Sequence, residues 1–175
     1  MAESLLGSSV PEAAQRTADL LGALLRDEDV VTVLRAHGEP DPIELSAADL
    51  VELRQAAVRL REVFAADDVS RAAELINELL AGRAYPPRLS THGGQYAWHL
   101  HVDSSDDAPW GEWFLASSCL ALAVLLAERQ QPPGGICASP SCGRPFVNTG
   151  RGSARRYCSA KCGTRERVAA HRGTH

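Results

Sequence analysis

Cys137-x4-Cys142-x15-Cys158-x3-Cys162 places four soft ligands in two close pairs across a modest loop, the sequence form of a tetrahedral thiolate zinc site. Zinc takes sulfur ligands at about 2.3 Å, and each pair delivers two of them from one local turn. Cys142-Gly143 supplies a tight turn, and Cys158 and Cys162, four apart, point to one side where they open a helix. From 135 to 175 the sizeable apolar side chains are only Ile136, Phe146, Val147, Tyr157 and Val168, too few for a core. A segment this small needs a staple, and structural zinc supplies roughly 10–16 kcal/mol of apparent binding energy in finger peptides. Four thiolates leave no open coordination position, so one Zn2+ at Cys137, Cys142, Cys158 and Cys162 is structural and not catalytic. Two disulfides would need an oxidising compartment, which nothing in the sequence supports. His171-x3-His175 also has a ligand-like spacing, but using it would strand Cys158 and Cys162. Cys119 lies in an apolar helical run and reads as a buried, inert thiol.

The second chemistry is electrostatic. From 135 onward seven arginines and one lysine stand against a single glutamate, a net of +7, so the first 134 residues carry −11 of the chain's total of −4. One end of the chain therefore attracts polyanions and the other does not. With a helix starting at Cys158, Lys161, Arg165, Val168 and Arg172 fall on one stripe, joined by Arg151, Arg155 and Arg156 from the preceding loop and strand. Such a surface suits a phosphate backbone, and the fork of Arg165 suits a guanine edge. These six cationic residues are the candidate nucleic-acid contacts. The alternative is that the basic face docks on the acidic part of the chain or on another protein.

Two weaker constellations lie upstream. His99-x-His101-x-Asp103 share one face of a strand, a pattern that suits a hydrolytic metal. An outward polar face opposite Tyr96, Trp98, Leu100 and Val102 needs no metal, however, and no second cluster supports catalysis, so the chain is not read as an enzyme. Trp98, Trp110 and Trp113 are candidates for a small-molecule pocket, with core packing as the plainer reading.

The elements that must position these groups are mostly helical. Ser9 and Glu12 form a capping box before Ala14, Ala18, Leu21 and Leu25 at helical spacing. Asp27 or Asp29 restarts a short helix that Gly38 stops. Ser46 and Asp49 cap a third helix, with Leu50, Leu53, Ala57, Leu60 and Phe64 on one face. A fourth runs over 68–81 to Gly82. Alternation over 96–102 predicts a strand with its apolar face buried, and His92-Gly93-Gly94 a hairpin turn before it. A long apolar helix follows over about 109–130. Its uncharged stretch, 113–127, is short for a bilayer and closed by Glu112 and Glu128, so no membrane contact is expected. Pro132, Pro133, Gly134 and Gly135 fall within 131–135, which reads as a linker. No signal peptide is legible at the start.

The tail resembles the CGNR zinc-finger family, bacterial proteins in which an ABATE domain precedes a C-terminal finger. The resemblance rests on Cys137-x4-Cys142, Phe146, Arg155-Arg156-Tyr157-Cys158 and Cys162-Gly163-Thr164-Arg165, with Thr164 where the family name spells asparagine. It implies a transcription regulator. The fold expected is α+β: a predominantly helical, ABATE-like domain with one β-hairpin over 1–130, a linker over 131–135, and a small treble-clef-like four-cysteine finger over 136–175. The function expected is DNA binding in transcription regulation, with the first domain as effector sensor or homodimerisation unit, in the cytoplasm. A zinc-stapled protein-interaction module is the alternative.

Overall fold

Capping decides where the first helices begin. The computed structural model describes residues 9–83, 85–148, 150 and 155–172. Helix α1 (Val10–Leu24) starts at Ser9, whose hydroxyl accepts from the Glu12 backbone N–H while the Glu12 carboxylate accepts from the Ser9 N–H. Asp29 caps the short α2 (Val30–Ala36), and Ser46 with Asp49 repeats the capping box before α3 (Ala47–Ala65). Each cap satisfies backbone donors that a helix start leaves open, for roughly 1 kcal/mol. Helix α4 (Val69–Arg83) runs through Gly82 rather than stopping before it, and α5 (Trp110–Arg129) ends on the left-handed Gln130.

These helices bury one core. Leu20, Leu21 and Leu24 of α1 meet Leu53, Leu60 and Phe64 of α3, with Phe114, Leu122 and Leu125 of α5 between them. Among the described residues α5 is the one helix long and apolar enough to cross a membrane by length and composition, and it packs on α1, α3 and α4. Thr17 donates to Ser118 at 3.0 Å, a polar tie between α1 and α5 inside the core.

Two antiparallel hairpins complete the architecture. In the first, β1 (Arg88–Ser90) pairs with β2 (His99–His101), Arg88 opposite His101 and Ser90 opposite His99. The alternation expected over 96–102 is present, but its sense is reversed at Tyr96, Trp98, His99 and His101, while Val102 is buried as expected. Trp98 is 69% exposed and Tyr96 42%, while His99 and His101 are only 9% and 8% exposed. A period of two fixes which residues share a face and not which face turns inward. Here the inward face meets a polar cavity, where the Ala97 carbonyl and the Asp103 carboxylate accept from the two Nδ1 atoms.

The second hairpin pairs β3 (Gly134–Ile136) with β4 (Pro145–Val147) and lies against α1 and α3. Val147 is part of the main core and Ile136 packs on it. The stretch expected as a linker over 131–135 therefore ends inside a strand. Its glycine serves close approach, since a Cβ on Gly134 would lie 2.3 Å from the Phe146 carbonyl oxygen and 2.5 Å from the Phe64 ring. Gly134→Ala should accordingly destabilise the chain by about 1–3 kcal/mol, the range for overpacking. Urea unfolding followed by circular dichroism checks this, and an unchanged midpoint would contradict the close approach. The last element among the described residues is α6 (Ala160–Arg172).

Candidate metal centre and nucleic-acid interface

The loop between β3 and β4 carries the first two cysteines, and the entry to α6 carries the other two. Cys137 directly follows β3, and its N–H donates to the Arg144 carbonyl at 2.8 Å, closing the loop. Cys142 and Gly143 both donate their N–H to the Ser139 carbonyl, and Gly143 adopts the left-handed φ of 60° that this knuckle requires. Across from it, the Ser159 hydroxyl accepts from the Cys162 N–H at 3.3 Å as the helix opens. Cys158 stands just before α6, and Cys162 lies in its first turn.

The four sulfurs lie within 4.8 Å of one another. Cys142 Sγ to Cys158 Sγ is 3.6 Å, and Cys158 Sγ to Cys162 Sγ is 3.7 Å. Zinc bonded to four sulfurs at about 2.3 Å implies edges of about 3.8 Å, so the donor set fits the ion. All four cysteines are free of disulfides. As bare thiols they make a poor cluster: burial and then Cys142 push Cys158 up to about 12, while Ser159, more than the neighbouring thiols, draws Cys162 down to about 7. A dication removes that conflict by holding four thiolates at once. Cys119, by contrast, is buried in α5 and pushed up to about 12 by burial, an inert thiol as expected.

This geometry agrees with a comparison of known families: the model of the CGNR zinc finger matches residues 135–175. The tail is a CGNR zinc finger. Its match begins inside β3 and does not extend into the helices before it. No curated protein matches the chain.

Around the metal centre of the CGNR finger, two of the arginines expected at a nucleic acid are engaged within the protein. Arg165 donates through Nη2 to Cys162 Sγ at 3.3 Å and to Ser139 Oγ at 2.9 Å, while Ser139 donates to Glu166 at 2.6 Å. Donors to a ligating sulfur orient it and tune its basicity, so Arg165 positions the zinc ligands. Arg155 donates to the Val147 carbonyl at 2.5 Å and lies over the Phe146 ring. Arg156, Lys161 and Arg172 are exposed. Arg151 and His175 lie outside the described residues, as does the chain start, 1–8. A further cation joins them: Arg167 is exposed and, with Arg155, Arg156 and Tyr157, lines a shallow groove of about 370 Å3 beside the start of α6. Its position six residues after Lys161 put it off the stripe, although it was legible as a charge.

The hairpin side of the finger is turned to the acidic domain. Arg144 pairs with Glu28, and Arg26 donates to the Cys142 carbonyl at 2.6 Å. Glu28 is lowered from the usual carboxylate value by its hydrogen bond with Arg144 above all.

A second candidate site is a cavity of about 620 Å3 between α1, α5 and the first hairpin. Trp110 and Trp113 line it in edge-to-face contact, and Arg16 lies over the Trp113 ring at 4.9 Å. Trp98, expected with them, is on the outer face of its hairpin. Arg16 and Glu39 both face the cavity; burial lowers the first and raises the second. His99 and His101 line it too, with Asp103 only 2% exposed behind them. Arg88 bridges Asp103 and Asp106, and the Ser90 hydroxyl, followed by Arg88, holds Asp106 down at about 2. His92, which the reading of His99, His101 and Asp103 did not include, joins this cluster from the turn after β1.

Proposed function

We propose that this chain is a DNA-binding transcription regulator acting in the cytoplasm, with the CGNR finger as its DNA-contacting module and the helical domain as sensor or dimerisation unit. The observation that carries the reading is the state of α6. Zinc anchors it at one end, and of its described residues only Cys162 is buried. Lys161, Arg167 and Arg172 on α6, with Arg156 just before it, therefore offer solvent-facing cations to a phosphate backbone. Because the hairpin rather than α6 makes the ion pair with the acidic domain, docking does not consume this surface. The ABATE character of the first domain rests on resemblance, and its cavity has the size and mixed lining of an effector site.

A protein-interaction module is the second reading, favoured by the commitment of Arg155 and Arg165 to internal contacts. Selection from a randomised duplex library by the zinc-loaded full chain separates the two. The regulator reading expects retained, sequence-enriched DNA. No retention at low salt would sink it.

A further inference from the structure

Four histidines, His37, His92, His99 and His101, line the helical domain's cavity, and the hydrogen bonds of His99 and His101 leave those two in an unstable position. His99 and His101 alternate along β2 onto the same buried face. The Nδ1 of His99 lies 2.8 Å from the Ala97 carbonyl oxygen, which only accepts, so Nδ1 carries the proton. The Nδ1 of His101 lies 3.1 Å from both Asp103 oxygens, and Arg88 donates to the same carboxylate at 2.6 Å, so this Nδ1 is a donor too. A neutral imidazole has one N–H, and both rings have spent theirs. Yet their Nε2 atoms, each with a bare lone pair, face one another at 2.9 Å. Two lone pairs at that distance repel unless a positive species lies between or beside them, either a proton or a metal ion.

The third ring decides between them. His92 stands with its ring centroid 5.1 Å from that of His99 and 5.0 Å from that of His101. One donor nitrogen from each of the three rings lies within 4.8 Å of the others. A shared proton needs two rings; a metal uses three. His92 sits in the turn after β1 at a left-handed φ of 49°. Metal–imidazole bonds of about 2.0–2.1 Å put neighbouring nitrogens about 2.9 Å apart at a right angle and about 3.4 Å apart at a tetrahedral one. The Nε2 pair already has that spacing. Behind the rings, a backbone carbonyl and a carboxylate orient the Nδ1–H groups, as the outer shell of metal-bound histidines does.

We propose that His92, His99 and His101 form a second metal site, separate from the finger, for a divalent transition-metal ion. Three neutral imidazoles suit zinc, nickel, cobalt or copper and not magnesium or calcium. Three protein ligands would leave a further coordination position for a small co-ligand. The site deepens the sensor reading by naming its effector chemistry, but it stands on the cavity alone and holds whether or not α6 binds DNA.

The test is metal stoichiometry on the full chain with zinc already in its finger, titrated with Ni2+ or Co2+, desalted and analysed for each element. Wild type is expected to retain a second equivalent, with a rise in melting temperature. His99→Gln and His101→Gln should each lose it while keeping finger zinc, and Cys158→Ala should do the reverse. His92→Gln, in a turn and outside the core, provides the same readout should a strand variant fail to fold. Failure to take up a second equivalent from millimolar Ni2+, Co2+, Cu2+ or Zn2+ would overturn the proposal. So would an equivalent that survives all three substitutions, or imidazole nitrogen resonances showing a proton shared by His99 and His101 with no metal uptake.

Discussion

Replacing Cys158 with alanine should strip the chain of its finger zinc and melt the knuckle and α6 together, while α1 to α5 stay folded. The apolar residues grouped at the metal centre are the ligands themselves with Phe146 and Tyr157, and α6 buries only Cys162. The apparent energy of structural zinc in finger peptides, roughly 10–16 kcal/mol, matches or exceeds the whole stability of a typical domain. No half-folded finger should therefore survive its loss. The hairpin is a different matter, because Val147 belongs to the main core and Ile136 packs on it. Amide exchange should show loss of protection across 137–144 and 156–172, with protection retained in α1, α3 and α5. Elemental analysis should show no finger zinc in this variant. Full protection of α6 in zinc-free protein would contradict the assignment. Cys119→Ser should leave the metal content untouched.

Neutralising Arg156, Lys161, Arg167 and Arg172 together should abolish DNA binding at moderate salt without touching the metal. All four are exposed, and none is a ligand or a neighbour that donates to a ligating sulfur. Counterion release makes log K fall against log salt by about 0.9 per phosphate contact, so losing up to four contacts flattens the slope by about 3–4 units. Arg165→Gln should behave differently: it removes a donor to Cys162 Sγ, so zinc affinity drops about 10–100-fold along with DNA binding. Fluorescence anisotropy across a salt series measures the first effect, and competition with a zinc chelator the second. A quadruple variant with the wild-type slope would remove α6 from the interface.

How much of this could be read in advance depends on the range of the interaction. The caps at Ser9 and Ser46 and the four cysteine ligands are local chemistry, and the structure places them as expected; of the two candidates Asp27 and Asp29, it is Asp29 that caps α2. What escaped is tertiary. Gly134 looks like a breaker beside two prolines; that it admits the Phe64 ring depends on a side chain seventy residues away. The inward turn of His99 and His101 depends on Arg88, Asp103 and the walls of a cavity that the strand itself does not encode. His92 reads from sequence as a turn residue, and its convergence with the other two histidines appears only once the hairpin is folded. Arg165 was legible as a cation but not as a sulfur donor, since that role requires Cys162 to be bonded to metal on the same helical turn.

The central claim is that zinc-held α6 is the surface that meets DNA. Hydrogen–deuterium exchange of the zinc-loaded full chain, with and without a duplex recovered from the randomised library, tests it most directly. Slowed exchange should be concentrated in 155–172, with α1 to α5 unchanged or altered only around the cavity. Protection confined to the helical domain, with 155–172 exchanging as in free protein, would contradict it.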